Sequence, residues 1–565
     1  MEAHPSRQRL DAVRARRFRR RPDARNSDRE RTTHAELFSV TADGRTQRRA
    51  TSLLRYAPGL VALVIVIADS GQMTDTDLWG HIRFGQAVIA QHHLLLRDPY
   101  SYTAFGRRWS NHEWLTEVVM AAAYNILGVV GLKLWKLACV TATMLLLAMG
   151  LAETGAPPSV QLNIFALAAV GMMPQMEFRP QLFTFAMIAA TLAILARHNY
   201  SRAAPLWLLI PMMALWANLH GGFIMGLAVI VLYAATISID DLMSGAGLQR
   251  GSRLSAIAIA AFVATMATPY GLETWSPVLH ALRNPMTRIA VTDWQPLAFA
   301  LMRQWRASHT GVIYMLCGIA MMTAFVATFA LEPRGGDLPL VVIAAVMSVT
   351  AIVAVRNLPL AILACALPVA RHSSLLFERR RERAQAAGAK VEPTPDRSAT
   401  SPWIVLAVAV LLAIYAGLFS PRLRNDKAYP AGAVAFMRQH NLHGNILGDF
   451  GWGEYLIWHA APASKIFIDG RYDTVYPYAI IEEYIRFYFD LSGARSVLVK
   501  YPHDLVLIPP KSQAYALMEG QTDWKLIYRD GDSALFVRKA SPAAMLSAID
   551  DAPAPSRAAK VSYFP

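Results

Sequence analysis

The chain has 565 residues, of which 54% are hydrophobic and 17% are charged, and its formal net charge is +15. About a quarter of the residues are charged in a typical soluble domain, so this composition argues against a water-soluble globular protein. The apolar residues lie in runs separated by short polar breaks, with a spacing suited to helices that cross a bilayer. The sequence therefore predicts an α-helical polytopic membrane protein whose first partner is the lipid bilayer.

Residues 1–54 are predicted to form a basic, disordered cytoplasmic tail. Residues 1–50 contain 14 arginines and seven acidic residues, nearly half of the net charge. The tract Arg14–Arg21, taken alone, resembles a nucleic-acid-binding or lipid-binding segment. Cationic residues before a first span also follow the positive-inside rule, and this simpler explanation is preferred. We expect no nucleic-acid partner and no cleaved secretory signal.

Eleven apolar runs are predicted to span the membrane, ten of them in a bundle at residues 55–371. In chain order the runs are 56–70, 130–151, 158–175, 181–196, 203–217, 223–239, 254–268, 311–330, 338–355, 359–370 and 402–419. The stretch 114–128 carries Glu117 and has only about 15 residues, so an interfacial helix is expected there. With this assignment, the basic breaks near residues 197, 250 and 371 all fall on the cytoplasmic side.

The remaining segments are a cytoplasmic linker at 372–401, the last span at 402–419, a periplasmic α/β domain at 420–545 and a tail at 546–565. Hydrophobic alternation and turn residues predict the helices and strands of the α/β domain. These elements are a helix at 431–440, strands at 445–447 and 465–468, a helix at 478–489, a strand at 504–508, and a hairpin of 524–528 with 534–538. All three cysteines lie in apolar runs, so no disulfide framework or cysteine metal site is predicted.

Polar side chains collect at the helix ends that this topology places outside, beginning in an outer loop at 72–113. Polar residues at membrane depth are costly and usually face a cavity or one another. We therefore infer one polar cavity that opens outward beneath the C-terminal domain. The residues that suggest it are Asp75, Asp77, His81, Arg83, His112, Glu113, Arg179, Gln181, His220 and Arg356.

Asp75 and Asp77 are the candidate catalytic residues. Two carboxylates this close together could share a divalent cation such as Mg or Mn, or one could act as a general base toward a sugar hydroxyl. They could equally be N-cap residues of the helix that holds His81. The cationic residues His81 and Arg83 suit a phosphate-bearing ligand beside the acids.

The other polar residues also have structural explanations. His112 and Glu113 could simply be the start of a helix, with no role in a site. Arg179 could be an arginine at the membrane interface. The segments around His220 and Arg356 could be plain turns. No nucleotide-binding or zinc-protease motif occurs in the chain, so an outward reaction would use a donor already in the membrane.

Three segments of the first outer loop resemble the GT-C glycosyltransferases, in a bacterial branch that is mostly uncharacterised. They are Thr76-Asp77-Leu78-Trp79, Asp98-Pro99-Tyr100-Ser101-Tyr102 and Asn111-His112-Glu113-Trp114. The resemblance implies a GT-C-like bundle in the bacterial inner membrane, with the N-terminus cytoplasmic and the C-terminal domain periplasmic. It also implies a polyprenyl-phosphate sugar donor, an acid in the first outer loop, and inversion at the transferred hexose or pentose.

By this resemblance, Asp75 or Asp77 deprotonates or orients an acceptor hydroxyl. The candidate donors of hydrogen bonds to the departing phosphate are His81, Arg83, Arg179 and Arg356. The acceptor would be an envelope glycan, lipid or protein. No cofactor is specified beyond the divalent cation considered at Asp75 and Asp77.

The segments 445–456 and 467–471 are loosely similar in layout to the Trp-Trp-Asp-Tyr-Gly region of oligosaccharyltransferases. The similarity ends at the paired tryptophans, so peptide-acceptor recognition is not implied. Asp469 and Arg471 are candidate substrate-binding residues on this basis. They could also belong to ordinary loops of an α/β domain.

Two other classes of function compete with a glycosyltransferase. A transporter or flippase for a lipid-linked glycan would need polar residues that continue to the inner side. A non-catalytic assembly protein that binds envelope glycans would retain its function when Asp77 is replaced.

Overall fold

The computed structural model describes residues 75–201, 203–245, 247–277, 279, 292–307, 309–387 and 429–552. The helices before residue 388 form a bundle, and the residues from 429 onward form the C-terminal domain. The predicted tail at 1–54 and the predicted spans at 56–70 and 402–419 lie outside the described residues.

The described part of the bundle consists mainly of α-helices, and several of the loops between them contain a single 3₁₀ turn. The α-helices are α1 Leu78–Gln91, α2 Trp114–Leu127, α3 Val129–Glu153, α4 Pro158–Met172, α5 Gln181–Ser201, α6 Leu209–Leu219, α7 Phe223–Ser244, α8 Gln249–Ala264, α9 Leu297–Ala307, α10 His309–Leu331, α11 Leu338–Val353 and α12 Leu358–Ala386.

Among the described residues, five helices are long and apolar enough to cross a membrane. They are Val129–Glu153, Gln181–Ser201, Phe223–Ser244, Gly311–Leu331 and Val355–Ala386. Every span predicted between residues 130 and 370 coincides with a helix. The chain is therefore a multi-pass membrane protein, while the total of eleven spans stays a prediction.

The bundle differs from the prediction where a loose linker was expected. Helix α12 continues to Ala386, so residues 372–386 are helical. The charged part of this segment consists mostly of Glu, Arg, Ala and Gln, which have high helix propensity. The apolar half of the same helix, Leu360–Ala370, is buried along its whole length and packs against α10 and α11.

Proline and glycine determine several helix ends. Pro339 and Pro359 lie in the first turns of α11 and α12, where the N–H that proline lacks would have no partner within the helix. At the opposite end of a helix, Gly245 follows α7 with a φ of 65°, the left-handed conformation that commonly ends helices. These residue types therefore mark helix boundaries that the sequence alone already indicates.

Helices α1 and α2 pack closely through a glycine. A methyl group at Gly85 would overlap the backbone carbonyl of Glu117, so only glycine allows this approach. His81 lies one turn before Gly85 on the same face of α1. The close packing therefore places the His81 ring beside the Glu117 carboxylate.

The C-terminal domain contains a five-stranded mixed sheet with strand order β2-β1-β3-β5-β4. Strand β1 is parallel to β2 and β3, whereas β5 is antiparallel to β3 and β4. Its elements are α13 Ala431–Gln439, β1 Asn445–Gly448, α14 Gly453–Ala460, β2 Lys465–Ile466, α15 Tyr478–Tyr488, α16 Ala494–Lys500, β3 Leu505–Ile508, α17 Gln513–Glu519, β4 Trp524–Arg529 and β5 Ala534–Arg538. The predicted helices, strands and hairpin of this domain are confirmed, and α14, α16 and α17 are additional.

The loop between α1 and α2, residues 92–113, is called the first loop and is attached to the edge of this sheet. The Ile466 N–H donates to the Tyr100 carbonyl at 3.1 Å, and the Tyr102 N–H donates to the Ile466 carbonyl at 3.1 Å. The Thr103 hydroxyl also donates to the Phe467 carbonyl at 2.6 Å. The C-terminal domain thus holds the segment that leads to Glu113.

His503 joins the C-terminal domain to the first loop as a neutral imidazole. Its Nε2 lies 2.8 Å from the Val497 carbonyl, which can only accept, so Nε2 carries the proton. Its Nδ1 then accepts the hydroxyl of Tyr102 at 2.6 Å. Burial lowers the pKa of His503 to about 4, although the hydrogen bond to Val497 opposes that shift.

This histidine is expected to make the fold sensitive to acid. An unfolded histidine titrates near pH 6.5, so the unfolded chain binds the proton first and stability falls as the pH drops from about 6.5 toward about 4. We expect the melting temperature to fall less between about pH 7.5 and about pH 5 in His503→Gln than in the wild type. The exposed His443→Gln is the matched control, and equal falls in all three proteins would contradict the prediction.

Candidate active site

A cavity of about 360 Å³ lies where the bundle meets the C-terminal domain. Cavities of this size are typical of small-molecule sites. The bundle contributes the start of α1, the segment before α2 and the loops before α5, α7 and α12, and the C-terminal domain contributes two segments. The ionisable and amide side chains on its wall include Asp77, His81, His112, Glu113, Glu117, Arg179, Gln181, His220, Arg356, Glu454 and Arg471.

Arg179 holds three carboxylates at one edge of the cavity. Its Nε lies 2.9 Å from Asp75 Oδ2, its Nη2 lies 3.2 Å from Asp77 Oδ2, and its Nη1 lies 3.1 Å from Asp293 Oδ2. Burial alone would lower the pKa of Arg179, but these carboxylates outweigh it and raise that pKa well above its ordinary value. The guanidinium therefore positions acids, and all of its nitrogens are used for that purpose.

A second cluster joins α1 to α2. The His81 Nδ1 lies 3.2 Å from Glu117 Oε1, and the Asn111 amide donates to Glu117 Oε2 at 2.5 Å. Burial would lower the pKa of His81, but the hydrogen bond to Glu117 and the charge of Glu113 raise it. One ligand atom each from His81, Glu113 and Glu117 lie within 4.8 Å of one another, a spacing that could hold a metal ion.

Glu113 also faces two other imidazoles. Its Oε1 lies 3.7 Å from His112 Nε2 and 3.4 Å from His220 Nε2. Burial would raise the pKa of Glu113, but the neighbouring histidines lower it. Burial lowers the pKa of His220 to about 3 against the opposing charge of Glu113, so His220 is neutral at physiological pH. Its Nδ1 accepts the Gly222 N–H at 2.9 Å, which directs the Nε2–H toward Glu113.

Arg356 lines the cavity and has no carboxylate partner among the described residues. Its guanidinium carbon lies 4.6 Å from the centre of the Trp294 ring, in a cation–π contact. No acidic side chain within the described ranges lies close enough to form an ion pair with it. Its hydrogen-bond donors are therefore available to an anionic ligand.

The C-terminal domain contributes Glu454 and Arg471. Glu454 is 4% exposed, and its Oε2 accepts the Gly80 N–H at 3.0 Å. Burial, reinforced by the charges of Asp77 and Asp469, raises the pKa of Glu454 well above its ordinary value, although Arg471 opposes this shift. Burial therefore favours the protonated, neutral form of the Glu454 side chain.

Arg471 connects the C-terminal domain to the first loop. Its Nη1 donates to Asp98 Oδ1 at 2.7 Å, and its Nε and Nη2 donate to the two oxygens of Asp469 at 2.9 Å and 2.6 Å. The guanidinium also lies 4.8 Å from the centre of the Trp109 ring. Both carboxylates are almost fully buried, so this is a desolvated ion network that fixes the first loop.

Most of the site residues proposed from the sequence line this one cavity. Asp75 and Asp469 do not line it: Asp75 pairs with Arg179, and Asp469 pairs with Arg471. Arg83 is absent from the wall. Glu117 and Glu454 also line the cavity, although neither is among the site residues predicted from the sequence. Glu117 had a usable signal, because an acid within an apolar helix is costly unless it faces a polar site.

Solved structures resemble this chain at the level of the fold. Archaeal oligosaccharyltransferase AglB from Archaeoglobus fulgidus, in complex with an inhibitory peptide and a dolichol-phosphate, has 13% identity, a TM-score of 0.54, and coverage of 82% of this chain and 70% of its own. The apo form of the Archaeoglobus fulgidus oligosaccharyltransferase has 13% identity, a TM-score of 0.51, and coverage of 82% and 69%. The chain has a GT-C-like fold.

The predicted GT-C resemblance is thereby confirmed for the fold. No protein-family model and no curated protein sequence matches the chain. At this low identity the likeness does not extend to substrates, because one fold supports many reactions.

Proposed function

We propose that the chain is a membrane glycosyltransferase that moves a sugar from a polyprenyl-phosphate donor to an envelope acceptor on the periplasmic side. The observation that carries this proposal is that Asp77 and Arg356 both line one cavity of a GT-C-like fold. A carboxylate suits the acceptor hydroxyl, and a cation without a carboxylate partner among the described residues suits the departing phosphate.

In the proposed reaction, Asp77 accepts the proton of the acceptor hydroxyl or orients that hydroxyl. The hydroxyl oxygen forms a bond to the anomeric carbon while the bond from that carbon to the lipid-phosphate oxygen breaks. The electron pair of the broken bond stays on the phosphate, and Arg356 stabilises the added charge. Attack opposite to the leaving group inverts the anomeric centre.

Arg179 has a different role from the one expected from the sequence. Its nitrogens pair with Asp75, Asp77 and Asp293, so we propose that it keeps Asp77 ionised and oriented. Asp75 then supports Arg179, since Asp77 lines the cavity and Asp75 does not. Asp77 is accordingly the preferred base of the two.

A divalent cation, where one is used, would bind His81, Glu113 and Glu117 in this proposal. Asp75 and Asp77 fit a cation less well, because Arg179 already neutralises them. One nitrogen and two carboxylate ligands suit Mn²⁺ better than Mg²⁺, which prefers oxygen ligands. When bound, the cation would supply positive charge beside the reacting groups.

We expect Mn²⁺ to raise the melting temperature of the purified protein and EDTA to reverse the rise, because a ligand that binds only the folded state stabilises it. Glu117→Gln should lose this response, and Asp75→Asn should keep it. The measurement is thermal unfolding in detergent with and without the metal. A response lost in Asp75→Asn and retained in Glu117→Gln would assign the ion to the aspartates.

The transport hypothesis has less support from the bundle. Helix α12 lies beneath Arg356, and its buried segment Leu360–Ala370 is apolar throughout. A transport path for a glycan would need polar groups at that depth. The bundle also contains the buried pair Asp337 and His372, but these side chains bind each other at 3.2 Å.

The transferase proposal is tested with purified protein and a panel of polyprenyl-phosphate sugars. We expect the wild type to consume at least one donor and release the lipid phosphate, and the Asp75→Ala/Asp77→Ala variant to consume none at a comparable rate. Equal donor consumption by the two proteins would contradict the proposal. Movement of an intact donor across proteoliposomes would instead favour the flippase.

A further inference from the structure

Helix α1 lacks the capping bond that its sequence leads one to expect. Asp77 occupies the N-cap position, where an aspartate usually accepts an N–H from the second or third helical residue. Its backbone is helical, with φ −78° and ψ −11°, and its side chain makes no capping hydrogen bond. The carboxylate pairs with Arg179 instead.

The missing cap comes from the C-terminal domain. Gly80 is the third residue of α1, and its N–H donates to Glu454 Oε2 at 3.0 Å. The two residues are separated by 374 positions in the chain. Glu454 thus satisfies the donor that Asp77 would satisfy in an ordinary helix N-terminus.

Two glycines make room for this arrangement. A methyl group at Gly80 would overlap the Glu454 carboxyl. A methyl group at Gly470 would lie 2.7 Å from Asp77 Oδ1 and 2.8 Å from Glu454 Oε1. Both contacts are closer than carbon and oxygen tolerate, so Asp77 and Glu454 approach each other over the bare backbone of Gly470.

We propose that Glu454 is a positioning residue that caps α1 from the C-terminal domain. The Asp77 carboxylate then pairs with Arg179 and lines the cavity instead of capping the helix. This inference rests on the proposed function, because it assigns Asp77 a role in transfer. It makes the docking of the C-terminal domain a condition for the correct placement of Asp77. The domain then acts on the reaction even where it does not touch the donor.

The test compares Glu454→Gln with Glu454→Ala. Glutamine is neutral and retains an oxygen that can accept the Gly80 N–H, so Glu454→Gln should keep kcat within a few-fold of the wild type. Glu454→Ala should lower kcat by about 100-fold, the loss caused by a small misplacement of a reacting group, with little change in the KM of the donor. The control is Glu483→Gln, an acid of the same domain that pairs with Lys500 outside the cavity.

A second variant and a structural measurement distinguish loss of the Glu454 cap from misfolding of Glu454→Ala and from failure of the proposed function. Gly80→Ala keeps Glu454 in the chain, but the added methyl group occupies the position of the Glu454 carboxyl. This variant should reproduce the kcat loss. A structure of Glu454→Ala should show the Asp77 side chain turned away from Arg179, whether or not a donor has been found. Wild-type kcat in Glu454→Ala, or an unmoved Asp77 in its structure, would overturn the inference.

Discussion

Replacing Asp77 with asparagine is expected to lower the kcat of sugar transfer by about 10²- to 10⁴-fold, the contribution typical of a general base. Asparagine keeps the size of the side chain but cannot take up the acceptor proton. The variant should fold, because Arg179 retains ion pairs with Asp75 and Asp293 at 2.9 Å and 3.1 Å. The measurement is single-turnover consumption of a polyprenyl-phosphate sugar that the wild type uses.

Asp75→Asn is the matched control for this experiment. Asp75 pairs with the same guanidinium but does not line the cavity, so its replacement should cost much less than that of Asp77. An Asp77→Asn protein with wild-type kcat would contradict the proposed role of Asp77 as the base. A non-catalytic assembly protein would instead consume no donor in either the wild type or the variant.

Replacing Arg471 with methionine is expected to destabilise the protein by about 3–5 kcal/mol, the cost of removing one partner from a buried ion pair. The change leaves Asp98 and Asp469 with 1% and 0% exposure and without their shared cation. It also removes the ion pair with Asp98, one of the contacts that join the first loop to the C-terminal domain. The loop should then become a site of early cleavage by protease.

Arg486→Met provides the comparison at an exposed ion pair. Arg486 binds Glu482 one helical turn away, and such pairs contribute only about 0.3–0.5 kcal/mol. Denaturant unfolding in detergent, with limited proteolysis of the first loop, distinguishes the two variants. If both unfold at the same denaturant concentration, the Arg471 network does not carry the stability that its burial implies.

Much of the fold could be predicted from local patterns. Apolar runs predicted the bundle helices, and alternation with a turn at Asp530-Gly531-Asp532 predicted the β4–β5 hairpin. These features depend on residues that are neighbours in the chain, so the sequence predicts them without knowledge of any tertiary contact. The end of α12 was harder, because its charged half resembles a linker in polarity while its residues favour a helix.

The sequence by itself also determined that polar residues collect at one set of helix ends. It could not determine which charges meet, because the pairs are far apart in the chain. Arg179 binds Asp77 across 102 positions, and Glu454 caps Gly80 across 374. Only the tertiary structure decided that Arg179 positions the acids, that Arg356 lacks a carboxylate partner among the described residues, and that the α1 cap comes from another domain. The physical reason is that burial and charge pairing are properties of the assembled chain, whereas helix formation is largely a property of its segments.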